Sequence, residues 1–147
     1  MKTDLKKWAL IAMTSGTMVL SCKKEKSDTP QCGTTMTGLS GSYKLTALQY
    51  KPDPSAASVD YLAFMDDCEK DDLLILKSDG TYDYNDVGTV CDPKGTQQGS
   101  WNVNGKTLTS DGMFNGTIAS YDCKTLVFYV ENALKPGDKL TYTMVKQ

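Results

Sequence analysis

From residue 41 to the C-terminus the chain alternates between short apolar-rich runs and turn dipeptides. Asp79-Gly80, Asn104-Gly105, Asp111-Gly112 and Pro136-Gly137 mark turns, because Gly supplies the positive φ that tight turns need and Asn or Asp tolerates it. Around these turns lie YKLTALQY (43–50), LLILK (73–77), TYDYND (81–86), GSWNV (99–103), KTLTS (106–110), MFNGTIASY (113–121), TLVFYV (125–130) and KLTYTMV (139–145). Each has strand length, and the β-branched and aromatic content suits a pleated, half-buried surface. Tyr82 and Tyr84 fall on one face of their run, with Thr81, Asp83 and Asn85 on the other. Leu140, Tyr142 and Met144 alternate in the same way with Thr141 and Thr143. A period of two marks a strand with one wet face. LLILK and LVFYV are apolar on both faces, so pattern alone leaves their inward side open. Segment 53–67 has no period and reads as a short helix or a loop across one barrel mouth. The prediction is an all-β fold: eight antiparallel strands in an up-and-down barrel or near-closed meander, with one short helix or loop after the first strand. A barrel of eight strands has room inside for packed side chains or one small ligand.

The N-terminus carries a different pattern. Lys2, Lys6 and Lys7 precede an apolar stretch from Trp8 to Leu20, interrupted at 14–17. It is shorter than the roughly 20 residues of a membrane span and fits the apolar region of a secretory signal. It ends in VLSC, with small Ser21 directly before Cys22. The order of charge, apolar run, small residue and Cys resembles the lipobox of bacterial lipoprotein signal peptides, although Leu20 is bulkier than the Ala or Ser common at its position. The resemblance implies cleavage before Cys22, a lipid on its sulfur and an acylated new N-terminus. The alternative is an ordinary signal peptide with an incidental Cys. The chain then divides into a signal peptide (1–21), a flexible polar tether (22–38) and a barrel domain (39–147). Lys23 stands where Asp retains some bacterial lipoproteins in the inner membrane, which favours an outer-membrane lipoprotein of the cell envelope. The Lys/acid cluster that follows loosely resembles surface-export signals.

Composition narrows the chemistry. All 16 basic residues are Lys, against 18 acidic ones, and the chain has no His and no Arg. Loss of residues 1–21 removes three Lys and Asp4, leaving 13 Lys, 17 acids and a net charge of −4 with the acylated amine neutral. Nucleic-acid binding needs a basic patch, which this balance opposes. Without His there is no Ser-His or Cys-His pair and no imidazole ligand. Without Arg there is no bidentate fork for carboxylate or phosphate. The expectation is a chain that is not an enzyme and needs no cofactor or metal.

Four stretches carry a family resemblance: GSYKLTAL (41–48), CEKDDLLILKSDGTYDYNDVGTVCDP (68–93), GSWNVNGKTLTSDG (99–112) and KTLVFYVEN with KLTYTMVKQ at the end. They resemble the small bacterial lipocalin-like lipoproteins over about residues 39–147. Tyr43 stands where larger lipocalins have Trp, and the chain is shorter than those carriers. The resemblance implies a small lipocalin-like β-barrel in the envelope, with no defined ligand and no catalytic residues.

Besides Cys22 the exported chain has four cysteines, Cys32, Cys68, Cys91 and Cys123, an even number that reads as two disulfides with three possible connectivities. If Asp79-Gly80 forms a two-residue turn, opposed residues have numbers that sum to 159, and Cys68 and Cys91 meet that sum. An unbroken ladder would bring them within about 5.5 Å at Cα, inside disulfide range, unless a bulge such as one at Gly88 intervenes. Cys32 is then left for Cys123, strapping the tether across one barrel end. The metal and redox readings are weaker, since there is no Cys-x-x-Cys and no His, and acidic neighbours disfavour a thiolate at Cys68.

DDCEKDD (66–72) clusters five carboxylates, which suits calcium in principle, but the EF-hand order is absent, and a solvated strand start is the plainer reading. The aromatics Tyr82, Tyr84, Trp101, Phe114, Phe128, Tyr129 and Tyr142 either fill the barrel or line a pocket. Tyr82, Tyr84, Trp101, Phe128 and Tyr142 are the candidate ligand-binding set, for a small apolar ligand oriented by Tyr hydroxyls. The expected function is a lipid-anchored, non-catalytic envelope lipoprotein that binds such a ligand. The alternative is a packed structural or interaction module presenting loops to a protein or glycan, with the protein partner unknown. In either case the membrane is reached through the N-terminal lipid.

Overall fold

The computed structural model describes residues 32–112 and 114–147. Cys22, the signal-like stretch and the first part of the expected tether lie outside the described residues. A short helix α1 (Met36–Leu39) precedes the long strand β1 (Gly41–Lys51). A two-residue strand β2 (Val59–Asp60), one 3-10 turn (Leu62–Phe64) and the short helix α2 (Asp67–Lys70) follow. The rest is a meander of β3 (Leu73–Leu76), β4 (Thr81–Asn85), β5 (Gln97–Asn104), β6 (Thr107–Ser110), β7 (Gly116–Tyr121), β8 (Thr125–Glu131) and β9 (Lys139–Lys146).

All eight expected runs are strands, and they close into an antiparallel up-and-down barrel. β1 pairs with β3 at its start, from Gly41 opposite Leu76 to Lys44 opposite Leu73. Along its other side it pairs with β9, from Tyr43 opposite Lys146 to Lys51 opposite Lys139. A bulge between Leu45 and Ala47 bends β1 as it passes from one neighbour to the other, and the Thr46 hydroxyl donates to the Thr143 carbonyl at 3.1 Å. β2 is an addition to the expected strands, and it pairs only with Gln49 and Tyr50 at the far end of β1. β7 starts three residues later than its run. Ser110 N–H donates to the Asn115 side chain, and Phe114 N–H donates to the Ser110 hydroxyl. These bonds hold a loop that turns the Phe114 ring into the core.

The β3–β4 hairpin differs from the two-residue expectation. Its partners sum to 158, as in Leu74 opposite Tyr84 and Leu76 opposite Tyr82. The loop therefore has three residues, Ser78, Asp79 and Gly80. Lys77 N–H donates to the Thr81 carbonyl at 2.9 Å, Gly80 takes φ +87°, and the Asp79 carboxylate accepts from both Thr81 N–H and its hydroxyl. A shift of one residue exchanges the faces of a strand. It puts Leu74 and Leu76 inside, opposite the inward tyrosines, and leaves Leu73 and Ile75 on the outer side. In the other unreadable run, Leu126 and Phe128 face inward.

One end of the barrel is sealed. Leu39 is fully buried there, capping a core that contains Tyr43, Leu76, Trp101, Leu108, Ile118 and Leu126. Polar bonds hold the cap: the Tyr43 hydroxyl donates to the Leu39 carbonyl at 2.6 Å, and the Tyr121 hydroxyl donates to the Gly38 carbonyl at 2.7 Å. Lys146 donates to the Tyr121 hydroxyl at 3.0 Å and lies near the rings of Tyr43 and Tyr121. Cys32 is bonded to Cys123, with Cα atoms 5.1 Å apart, so the strap across this end forms as expected. It also carries residues 36–38 into the fold, although they fall within the expected tether, because α1 is anchored by Leu39 and by these carbonyls.

Leu39→Ala should remove the only aliphatic side chain that α1 buries and cost about 2–5 kcal/mol. Urea denaturation should show a lower midpoint with an unchanged slope, and an unchanged midpoint would show that the cap adds nothing.

Candidate ligand-binding site

The opposite end is open. Here β1, the 53–72 segment, β4, β8 and β9 surround a cavity of about 380 Å³. Leu45 and Leu48 reach it from β1, Leu74 and Tyr84 from β3 and β4, Phe128 from β8, and Leu140, Tyr142 and Met144 from β9. Alternation aims these side chains inward, so the same rule that builds the strands builds the wall. Tyr61 and Met65, from either side of the 3-10 turn, close over the rim, and Tyr61 packs on Tyr50 with ring centres 5.7 Å apart. A water takes up about 30 Å³, so the space exceeds that of one or two waters.

Five aromatic residues were expected to share a ligand site, and the structure places three of them here: Tyr84, Phe128 and Tyr142. Phe128 and Tyr142 are directly opposed on β8 and β9, and their rings stack 4.8 Å apart with an interplanar angle of 2°. Phe114 packs 6.5 Å from Phe128 and joins the lining. Tyr82 lies away from the cavity, edge-on to Phe114 at 5.3 Å. Trp101 also lies outside it. Trp101 is buried toward the sealed end, where its indole N–H donates to the Lys77 carbonyl at 2.9 Å. These two rings fill the barrel because their strand positions are nearer the cap. Tyr129 points outward, under the Lys139 ammonium.

The acidic segment is distributed rather than convergent. Glu69 accepts from Asp66 N–H, Asp67 pairs with Lys70 at 2.8 Å, and Asp71 accepts from Thr89 N–H at 2.9 Å. Among the described residues no group of three or more His, Cys, Asp or Glu is arranged to hold a metal ion. Asp72 differs from its neighbours. It is 6% exposed, lines the cavity, and accepts from Val87 N–H at 3.2 Å. Burial pushes its carboxyl above the usual carboxylate range, a rise that its contacts with the Tyr84 hydroxyl and Val87 N–H only partly offset. Burial first, and then Asp72, pushes the Tyr84 phenol up, and burial does the same to Tyr142. Both phenols are thus neutral hydrogen-bond donors at physiological pH. Asp72 escapes sequence reasoning through the hairpin count. With a sum of 159, Ile75 and Leu73 would face inward and Asp72 outward. With 158, Asp72 continues the inward series of Leu76 and Leu74.

Cys68 and Cys91 are bonded, with Cα atoms 5.3 Å apart. The β3–β4 ladder does not bring this pair together in the way the sum of 159 expects, because neither residue is in β3 or β4. Cys68 belongs to α2, and Cys91 follows β4 in an irregular segment ordered by Asp86, whose carboxylate accepts from Cys91 and Gly95 N–H. The bond therefore ties two mouth loops together, beside Asp72.

A second concavity, about 430 Å³, lies outside the barrel by the β8–β9 loop. Its buried carboxylate, Asp138, accepts from Ala133, Leu134 and Lys135 N–H at 2.7–3.0 Å and from the Tyr50 hydroxyl. Burial opposes its ionisation, but these donors outweigh burial and hold its pKa below the usual range. Asp138 is thereby committed to shaping the loop, which leaves the mouth cavity as the better candidate site.

A closed meander with one sealed end and one apolar-walled mouth is a ligand-binding type of fold. The chain belongs to the lipocalin-like domain family, whose model matches residues 39–128. The match stops within β8, while β9 beyond it closes the barrel onto β1. No curated protein matches the chain.

Replacing both Cys68 and Cys91 by Ser should cost about 3 kcal/mol, since the bridge closes a loop of 23 residues. Amide exchange should quicken at 66–72 and 86–95 before the strands respond, and uniform loss of protection would contradict a role confined to the mouth.

Proposed function

We propose that this chain is a non-catalytic envelope lipoprotein whose barrel takes up one small, mostly apolar ligand at its open end. The observation that carries the reading is the cavity itself, walled by Leu48, Leu74, Phe128, Leu140 and Met144, with the Tyr142 hydroxyl as a donor and the Tyr84 hydroxyl held by Asp72. A pocket of apolar surface with few polar groups binds by burying ligand area and orients the ligand by hydrogen bonds. This favours ligand uptake over a packed module that acts only through its loops.

Nile red, a neutral apolar dye, should bind with one site per barrel and a blue-shifted emission. Leu48→Trp should fill the cavity and weaken binding by about tenfold or more. Dye binding that persists unchanged in Leu48→Trp, or no binding to the parent protein, would reject the mouth cavity as the site.

The anchor rests on the N-terminal sequence, where charged residues, an apolar stretch, Ser21 and Cys22 follow in order. Lys23 in place of a retention Asp supports the outer membrane as its location. Cys22→Ala should release the protein from membrane fractions and remove the acyl mass. Unchanged membrane retention would reject the anchor.

A further inference from the structure

We infer that the mouth cavity selects amphiphiles that carry a protonated amine, with Asp72 as the counter-ion to the amine and the apolar wall receiving the rest of the molecule. The inference rests on the ligand-binding reading of this cavity and gives it a ligand class.

The charge of the lining is one-sided. Asp72 stands in the wall, and Glu69 stands exposed at the rim. Among the described residues no Lys contributes to the lining, and the chain has neither Arg nor His to supply another cation. The carboxylates nearest to Asp72, Asp71 and Asp86, add to the negative field. One oxygen of Asp71 is buried without a hydrogen-bond partner, so the field is not fully answered by the protein's own donors.

An anionic amphiphile such as a fatty acid would bring its head group against the buried Asp72 carboxylate, with Glu69 at the exposed rim above it. Like charges held together there cost more than in water, because screening is weak. A cation meets the reverse situation. Asp72 is already withdrawn from water in the empty protein, so binding does not add its desolvation. Only the amine must lose water, and it gains a charge-assisted hydrogen bond in return. Tyr61 and Tyr84 present aromatic rings in the same lining, and ammonium groups favour ring faces within about 6 Å. Elsewhere in the lining, Phe128, Leu140 and Met144 offer only apolar contact. One carboxylate in an otherwise apolar wall fits an amine at one end of a short hydrocarbon or aromatic body.

Three probes of equal chain length separate the head groups: octylammonium, 1-octanol and octanoate, each used to displace Nile red at neutral pH. Octylammonium should displace the dye at concentrations about tenfold lower than octanoate, with octanol between them. Asp72→Asn keeps an oxygen for Val87 N–H and should bring octylammonium close to octanol, with each displacement referred to the variant's own Nile red affinity. Glu69→Gln, at the exposed rim, should produce a smaller loss of the same kind. Equal displacement by octanoate and octylammonium in the parent protein, or a preference for octanoate, would overturn the amine assignment and leave the cavity reading intact. So would an undiminished amine preference in Asp72→Asn. If Nile red and all three probes fail to bind the parent protein, the cavity reading fails, and this inference fails with it. The comparison on the parent protein needs no variant to fold.

Discussion

The pairing of β1 with β9 is the constraint on which the rest depends. It joins the first and last strands of the barrel from Tyr43 opposite Lys146 to Lys51 opposite Lys139. An open meander of eight short strands would expose two edges of unpaired backbone groups and could not enclose a core. Closure turns every inward position into shared interior. It is why Leu45 and Leu48 at the start of the fold face the same space as Tyr142 and Met144 at its end. β1 can serve both β3 and β9 because it is long and because its bulge at 45–47 redirects it partway.

Closure alone would give a tube, and the two ends are finished in different ways. At one end α1 inserts Leu39, Tyr43 and Tyr121 satisfy its carbonyls, and the Cys32–Cys123 bond holds the strap in place. At the other end no described segment supplies such a plug. The 53–72 segment lies across the rim rather than into the barrel, and the Cys68–Cys91 bond joins it to the loop after β4. Each disulfide therefore serves one end. The packed half of the barrel carries stability, which leaves the mouth half free to remain unfilled.

The absence of Arg and His shapes how the carboxylates are used. Asp79, Asp111 and Asp138 accept hydrogen bonds from backbone N–H groups in or beside turns, and Asp79 and Asp111 also accept from Thr81 and Ser100 hydroxyls. These bonds outweigh the cost of partial burial and hold the carboxyl pKa values down. Asp72 has weaker local compensation, and burial dominates it. Asp79, Asp111 and Asp138 are thus turn devices, whereas Asp72 continues the inward phase of β3 into the mouth cavity.

The strands, their antiparallel order and the family were legible in the sequence, because period-two alternation and Gly-containing turns are local consequences of backbone geometry. So was the inward placement of Tyr82, Tyr84, Tyr142 and Met144. LLILK and LVFYV showed no such phase, since both of their faces are apolar. The turn at 78–80 decided it for LLILK, and its third loop residue left no mark that distinguishes it from a two-residue turn. The sequence pointed to the Cys68–Cys91 pairing through a hairpin register that the structure does not have, and the place of both residues in the mouth loops was not legible. The division of the aromatics into core and cavity also belonged to tertiary structure. Tyr82 and Tyr84 are identical in type and face, and differ only in distance from a cap that lies more than forty residues earlier in the chain. Local pattern determined which side chains point inward. Only the closed barrel, plugged at one end, decided which of them meet an empty space and which meet each other.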